Sequence, residues 1–143
     1  MTEATASTLV TGGAGFIGRW VVKRLLDEGH RVTAFDDLSN GRRENVAEFE
    51  HHPNFAGLIE GDIADAATVE ALFANTTWDF IFHLAASIHV QKSIDNPRPT
   101  FRNDVEGTFA LLEAARAQYF RLNGLDPKMA HFDYLKEIEG LKD

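Results

Sequence analysis

A glycine-rich segment near the start of the chain has the composition and spacing of a phosphate-binding loop. Directly after the apolar run 8–11, the glycines form either Gly-x-x-Gly-x-x-Gly, from Gly12, Gly15 and Gly18, or Gly-x-Gly-x-x-Gly, with Gly13 in place of Gly12. Such glycines allow a tight turn, leave the backbone bare for an approaching pyrophosphate and let the next helix pack closely on the strand. Backbone N–H groups at the start of that helix would face the anion. The segment predicts a pyrophosphate site; the alternative is a turn that needs glycine only for its own geometry.

An aspartate follows the glycine segment at the distance expected of a ribose-binding carboxylate. Asp36 lies 18 residues after Gly18, at the end of a second apolar run. A carboxylate there can accept hydrogen bonds from both hydroxyls of an adenosine ribose. It would also repel a 2′-phosphate by about 4 kcal/mol at 4 Å near a protein surface, and Arg19, Arg42 and Arg43 are near enough in sequence to soften that repulsion. We therefore expect NAD rather than NADP; the alternative is a solvated loop acid.

Polar and small residues follow two further apolar runs. Asp62 comes after the run 55–59 and could accept from the adenine amino group or simply cap the next helix. Ala85 and Ala86 follow the run 80–84, where small side chains would let the middle of the cofactor lie against the backbone. Ordinary packing explains these alanines as well. Because the carboxyl ends of parallel strands line one crevice, we expect both groups to lie near the glycine segment.

Four short apolar runs at nearly even spacing predict the strands that position these residues. The runs are 8–11, 31–35, 55–59 and 80–84, and amphipathic stretches predict helices over 16–28, over 66–74 with Asp65 as N-cap, and from Pro99 to the Arg116 region. Strands that alternate with helices form right-handed parallel β-α-β units. We therefore expect an α/β fold, a Rossmann-type doubly wound parallel sheet of about four strands, with an extra C-terminal helix that ends near Gly140.

Composition and charge exclude several other classes of protein. The 143 residues, with 44% hydrophobic and 25% charged side chains, suit one globular domain. The absence of cysteine excludes a disulfide scaffold and a thiolate metal site, and we expect no metal at the adjacent His51 and His52. A net charge of −8 would repel nucleic acids and anionic membranes. No run approaches the roughly 18 apolar residues of a membrane span, and the start lacks a signal-peptide pattern, so we expect a cytoplasmic protein with a small-molecule role.

Five segments resemble the extended short-chain dehydrogenase/reductase family, the NAD-dependent epimerases and dehydratases of nucleotide-sugars. They are TGGAGFIG at 11–18, FDDLSNG at 35–41, GDI at 61–63, HLAA at 83–86 and NDVEGT at 103–108. The resemblance covers about residues 7–118 and implies NAD as cofactor, a nucleotide-sugar as substrate, and hydride transfer from a sugar carbon with epimerisation or dehydration. We expect 1–118 to be an NAD-binding Rossmann domain and 119–143 a helical tail or insertion that departs from the family pattern.

The resemblance also assigns cofactor contacts residue by residue. Contacts with the pyrophosphate are expected from Gly12, Gly15, Phe16, Ile17 and Gly18. Contacts with the adenosine are expected from Asp36, Asp37, Leu38, Ser39, Asp62 and Ile63. Contacts on the nicotinamide side are expected from Leu84, Ala85 and Ala86, and Asn103 matches a family position that reaches the cofactor. The next residue, Asp104, departs from the asparagine that is more usual there.

The base that the resemblance implies has no counterpart in this chain. In the family it is a Tyr-x-x-x-Lys pair, whose lysine lowers the phenol pKa so that tyrosinate can take a substrate proton. Tyr119 is followed four positions later by Asn123, and Tyr134 by Ile138. We therefore expect no catalytic residue here, and whether the chain acts as an enzyme stays open.

Three interpretations of the missing pair remain open. The chain is the front portion of an enzyme with an inserted tail helix, a truncation that binds NAD without catalysis, or a chain whose sheet another chain completes. The rival functions are a non-catalytic nicotinamide-binding or sensor module and a methyltransferase-like sheet that binds S-adenosylmethionine. Apolar residues recur at intervals of three in the predicted C-terminal helix: Met129, Phe132, Leu135 and Ile138. The helix face that they form would cover the sheet edge or pair two copies of the chain as a homodimer.

Overall fold

The computed structural model describes residues 5–126, in which four parallel strands form one sheet. The strands are β1 (Ser7–Thr11), β2 (Arg31–Asp36), β3 (Phe55–Glu60) and β4 (Phe80–His83). Their order across the sheet is β3-β2-β1-β4. This confirms the predicted Rossmann-type sheet with its four strands, and the predicted C-terminal helix lies outside the described residues.

Helices connect the strands and continue beyond the last one. They are α1 (Gly18–Asp27), α2 (Glu44–Ala47), α3 (Ala66–Ala74), α4 (Val90–Asp95), α5 (Pro97–Phe101) and α6 (Gly107–Leu122), with a π-helical segment, Arg102–Glu106, between α5 and α6. The single helix predicted from Pro99 to the Arg116 region is wrong in its bounds, because the π-helical segment interrupts it and α6 continues to Leu122. No helix of the described range is both long and apolar enough to cross a bilayer.

The start of α3 follows the prediction closely. Its bounds are those predicted, and the carboxylate of Asp65 accepts a hydrogen bond from the Ala67 N–H at 3.3 Å. The Thr68 hydroxyl also donates to this carboxylate, at 2.5 Å. That hydrogen bond is the main reason why the pKa of Asp65 lies below its usual value. A local capping signal therefore suffices to set this boundary.

The side chains of β1 alternate between two hydrophobic cores, one on each face of the sheet. Leu9 packs with Phe35 and with residues of α3 and α6. Val10 packs with Val32 and with residues of α1. Leu9 and Val10 are fully buried, and burial of such a side chain contributes about 1.5–3 kcal/mol. The central strand is thus held from both faces.

The carboxyl ends of the strands lie side by side at one edge of the sheet. Thr11 at the end of β1 pairs in register with Phe35 of β2 and with His83 of β4. Asp36 pairs in register with Glu60 at the end of β3. The strand order reverses direction at β1, between β2 and β4. In open α/β sheets this point, outside the carboxyl ends, is where ligands bind.

Candidate functional site

A cavity of about 680 Å³ lies at the carboxyl edge of the sheet. It is bounded by the loop after β1, by the ends of β2 and β3, and by the segments that follow β4. Its lining includes all the predicted cofactor residues except Leu38: Gly12, Gly15, Phe16, Ile17, Gly18, Asp36, Asp37, Ser39, Asp62, Ile63, Leu84, Ala85, Ala86 and Asn103. The fold therefore brings together residues that are up to 91 positions apart in the sequence.

Leu38 is the predicted cofactor residue that does not line this cavity. Its φ is 58°, a left-handed conformation that is uncommon for a leucine. Its backbone N–H donates to Asp36 Oδ1 at 2.9 Å. Leu38 thus orients the carboxylate of Asp36 through its backbone, and its expected contact with the adenosine stays a prediction.

The glycines of the loop after β1 have distinct structural roles. Gly12 has φ +69°, and a Cβ there would lie 2.8 Å from the backbone at Leu84 and Ala85. A Cβ on Gly18 would lie only 1.9 Å from the carbonyl oxygen of Gly12. At Gly15, by contrast, the one neighbouring atom within 4 Å would be the Gly12 carbonyl oxygen, at 3.1 Å. Gly12 and Gly18 therefore permit close packing of the loop, and Gly15 leaves open space on the cavity side.

Two backbone donors of this loop have no partner among the described residues. The N–H of Gly15 donates to the Gly12 carbonyl at 3.0 Å, but the N–H groups of Phe16 and Ile17 donate to no protein atom there. Both residues line the cavity and are largely exposed. Together with the N-terminus of α1, these donors form a positive region that suits a phosphate group.

The Asp36 carboxylate is buried at the bottom of the cavity, where it holds the loop. Its Oδ2 accepts from the Ala14 N–H at 3.0 Å, and the residue is only 6% exposed. The alternative of a solvated loop acid is therefore wrong. Gly41 packs directly on the carboxylate, since a Cβ there would lie 2.8 Å from Oδ1. A carboxylate has about four acceptor positions, so Asp36 can still accept from a ligand.

Asp62 makes both a local and a long-range contact. Its Oδ1 accepts from the Ala64 N–H at 2.8 Å, which is a local turn interaction. Its Oδ2 lies 3.2 Å from the guanidinium of Arg102, in the π-helical segment. Arg102 also lines the cavity. Sequence reasoning missed Arg102, because no local signal reveals a contact between residues 40 positions apart.

A histidine at the end of β4 organises the backbone that follows it. The Thr108 hydroxyl donates to the Asp104 carbonyl oxygen at 2.6 Å, so it must accept from His83 Nε2, 2.9 Å away. The Nδ1 of the neutral ring then accepts from the Thr11 hydroxyl at 2.6 Å. The Thr11 oxygen in turn accepts from the N–H groups of Leu84 and Ala85. This chain of hydrogen bonds requires neutral His83.

The surroundings of His83 favour its neutral form. Burial lowers the pKa of His83 below its usual value, and the charge of Asp104 opposes this effect in part.

Asp104 Oδ1 also accepts from the Ser87 N–H at 2.7 Å and from the side-chain amide of Asn103 at 2.8 Å. The aspartate at this position thus orients the amide of Asn103.

Further residues complete the opposite rim of the cavity. His89 Nε2 lies 2.9 Å from Asn40 Oδ1, so the segment after β4 contacts the segment after β2 across the cavity mouth. Asn40 and Gly41 also line the cavity, but the predicted site residues of this segment ended at Ser39. The FDDLSNG segment, to which both belong, was the sequence signal that could have identified them. No group of three or more potential metal ligands occurs within residues 5–126.

Comparison with known proteins identifies the family. The family described as GDP-mannose 4,6 dehydratase matches residues 9–130 of this chain. The chain belongs to the extended short-chain dehydrogenase/reductase family. The NAD-dependent epimerase/dehydratase resemblance of the sequence is thereby confirmed.

Both epimerases and dehydratases occur among the relatives of this family member. A UDP-glucose 4-epimerase of Mycolicibacterium smegmatis is 48% identical over 109 residues, which are 76% of this chain and 34% of the relative. A dTDP-glucose 4,6-dehydratase of Mycobacterium tuberculosis is 41% identical over 128 residues, which are 87% of this chain and 37% of the relative. The chain thus spans about a third of the length of these curated relatives.

Solved structures show the same architecture. The Thermus thermophilus UDP-glucose 4-epimerase in complex with NAD has a TM-score of 0.70 and 37% identity, covering 78% of this chain and 34% of that chain. Pal from Bacillus thuringiensis has a TM-score of 0.74 and 56% identity, covering 76% of this chain and 34% of that chain. The described sheet is therefore the Rossmann sheet of this family.

Proposed function

We propose that this chain binds NAD in the cavity at the carboxyl edge of its sheet. The observation that carries the proposal is that the buried Asp36 carboxylate and the unpartnered N–H groups of Phe16 and Ile17 line one cavity. Asp36 supplies acceptors for the two hydroxyls of a ribose, and the loop supplies donors for a diphosphate. A dinucleotide with an unphosphorylated adenosine ribose satisfies both sets of groups.

The size of the cavity supports the same proposal. Its volume of about 680 Å³ falls within the roughly 300–1,000 Å³ of small-molecule sites. The strand order places the acidic residues at the carboxyl ends of β2 and β3 on one side of β1, and Ala85 and Ala86, which follow β4, on the other. We assign the adenosine to the acidic end and the nicotinamide to the alanine end.

The residues of this chain position the cofactor at the alanine end. When bound, NAD supplies a hydride acceptor. The Thr11 hydroxyl fixes the N–H groups of Leu84 and Ala85, and the small side chains of Ala85 and Ala86 leave the backbone accessible. The amide of Asn103, which Asp104 orients, lines the same cavity.

The proposed substrate of the whole catalytic unit is a nucleotide-sugar. The support is that the relatives named UDP-glucose 4-epimerase and dTDP-glucose 4,6-dehydratase match this chain at 48% and 41% identity. The contribution of this chain is cofactor binding. Tyr119 does not supply the proton-transferring base, because Asn123 occupies the position where the family pair has lysine.

Isothermal titration calorimetry of the 143-residue chain tests the proposed cofactor. We expect saturable binding of NAD at one site, NADP binding weaker by about tenfold or more because of Asp36, and no binding of S-adenosylmethionine. Failure to bind NAD, or binding of S-adenosylmethionine in its place, would overturn the proposal. Equal affinities for NAD and NADP would overturn the role of Asp36.

A turnover assay separates the cofactor-binding portion of an enzyme from a complete one. The NAD-loaded chain is incubated with UDP-glucose and, separately, with dTDP-glucose. We expect neither epimerised nor dehydrated sugar, because the Tyr-x-x-x-Lys pair is absent from the sequence. Conversion of either sugar nucleotide would show that another group of this chain acts as the base.

A further inference from the structure

An ion pair involves the residue of β3 that is paired in register with Asp36, the residue that the proposed site uses for the ribose. Glu60 at the end of β3 pairs in register with Asp36. Gly41 packs on the Asp36 carboxylate, and Arg43 follows two residues later. The Arg43 guanidinium donates to Glu60 Oε2. The ion pair thus lies next to the end of β2, and neither of its members lines the cavity.

A guanidinium near the end of the second strand is the group that accommodates a 2′-phosphate in dinucleotide sites. Its planar donors match the phosphate oxygens. Arg43 is in the right part of the chain for this role, but Glu60 engages its guanidinium. On the other side of the glycine loop, Glu48 engages Arg19 in the same way, at 2.8 Å.

We infer that Glu60 is a specificity-determining residue, which disfavours NADP by holding Arg43 away from a 2′-phosphate. The inference rests on the proposed NAD site. Asp36 repels the 2′-phosphate directly, and Glu60 withholds the cation that would offset that repulsion. Neither Glu60 nor Arg43, as Glu60 holds it, lines the cavity. Glu60 is therefore a positioning residue that acts through Arg43.

The test compares the ratio of NADP affinity to NAD affinity in matched variants. Glu60→Gln should raise this ratio by about threefold or more, the effect expected of a released surface ion pair. Glu60→Gln combined with Arg43→Ala should leave the ratio at the wild-type value. Asp27→Asn is the control, because it removes one negative charge and releases Lys23 (2.7 Å away) on α1. Arg42, whose side chain has no acidic partner among residues 5–126, stays unchanged throughout.

The set is repeated on Asp36→Asn, in which the direct repulsion between the carboxylate and a 2′-phosphate is removed. An unchanged ratio in Glu60→Gln would overturn the inference. So would an equal rise in the Arg43→Ala double variant, which would mean that Glu60 acts through its own charge. An equal rise in Asp27→Asn would reduce the effect to net charge and overturn it too. A wild-type chain that binds no NAD contradicts the proposed function itself, whereas NAD binding with an unaltered ratio contradicts this inference alone.

Discussion

The Asp36 carboxylate accepts a hydrogen bond from the backbone N–H of Ala14 at 3.0 Å, so the residue that ends β2 also fixes the loop after β1. The second oxygen of the carboxylate accepts from the Leu38 N–H at 2.9 Å. One buried side chain therefore connects two loops of the proposed cofactor site. Its substitution should affect the shape of the loop as well as the choice of cofactor.

Replacement of Asp36 separates these two effects. In Asp36→Asn, the amide NH₂ faces one of the two backbone donors, and we expect the free energy of unfolding to fall by about 1–3 kcal/mol. NAD affinity should fall more than NADP affinity, because the loss of charge relieves the repulsion of a 2′-phosphate. Calorimetric titration with both cofactors measures this, with Asp27→Asn as the control. Equal losses for NAD and NADP would contradict the ribose contact.

Two glycines of the loop should respond differently to alanine. Gly18→Ala places a Cβ 1.9 Å from the Gly12 carbonyl oxygen, and we expect a loss of stability of about 2 kcal/mol or more in urea denaturation. Gly15→Ala meets only one atom, at 3.1 Å, so stability should change by less than about 1 kcal/mol. Its methyl group would stand where the diphosphate approaches, and NAD affinity should fall by about tenfold. Undiminished NAD binding by Gly15→Ala would argue against the assigned diphosphate position.

The neutral state of His83 makes part of the stability depend on pH. Because burial lowers the pKa of His83 in the folded chain, the unfolded chain binds the proton more readily. The stabilisation should therefore be complete above pH of about 6.5, the usual histidine value, and should decrease as the pH falls towards the lower pKa of the folded chain.

Urea denaturation between about pH 5 and pH 7.5 checks this dependence when wild type and His83→Gln are compared. The other titrating groups are common to both chains, so their contributions cancel in the difference. We expect the stability advantage of the wild type to shrink as the pH falls below about 6.5. An advantage that stays constant or grows on acidification would show that His83 is not held neutral.

The amide of Gln118 should be important for the attachment of α6 to the segment that leads into β4. Gln118 is buried and accepts from the Trp78 N–H at 3.0 Å, while its NH₂ donates to the Trp78 carbonyl at 2.8 Å. Gln118→Ala leaves both backbone groups without their partner, and we expect a loss of about 1–3 kcal/mol. Gln91→Ala on the exposed face of α4 is the matched control and should change stability by less than about 0.5 kcal/mol. Similar thermal unfolding of both variants would refute this role.

Local signals in the sequence were sufficient for much of the fold. The bounds of α3 follow from Asp65, because an N-cap acts through hydrogen bonds within one turn. The strands follow, to within one residue at each end, from apolar runs of four or five residues, and the glycine spacing marks the loop between β1 and α1. Each of these features depends on residues that are neighbours in the chain.

Other features depend on packing between distant residues and could not be predicted in this way. The Arg102–Asp62 ion pair and the His89–Asn40 hydrogen bond join residues 40 and 49 positions apart. Both depend on how the segments after β4 lie over the sheet edge. The left-handed Leu38 was also missed, since leucine gives no signal for a positive φ. Contacts between distant residues thus form the rim of the cavity, whereas the strand ends and the glycine loop, which local signals predict, form its bottom.

A crystal structure of the chain soaked with NAD would show the proposed cofactor contacts themselves. We expect diphosphate oxygens at about 3 Å from the N–H groups of Phe16 and Ile17, and ribose hydroxyls at a similar distance from the Asp36 carboxylate. A diphosphate bound elsewhere, or a ribose turned away from Asp36, would contradict the proposed site.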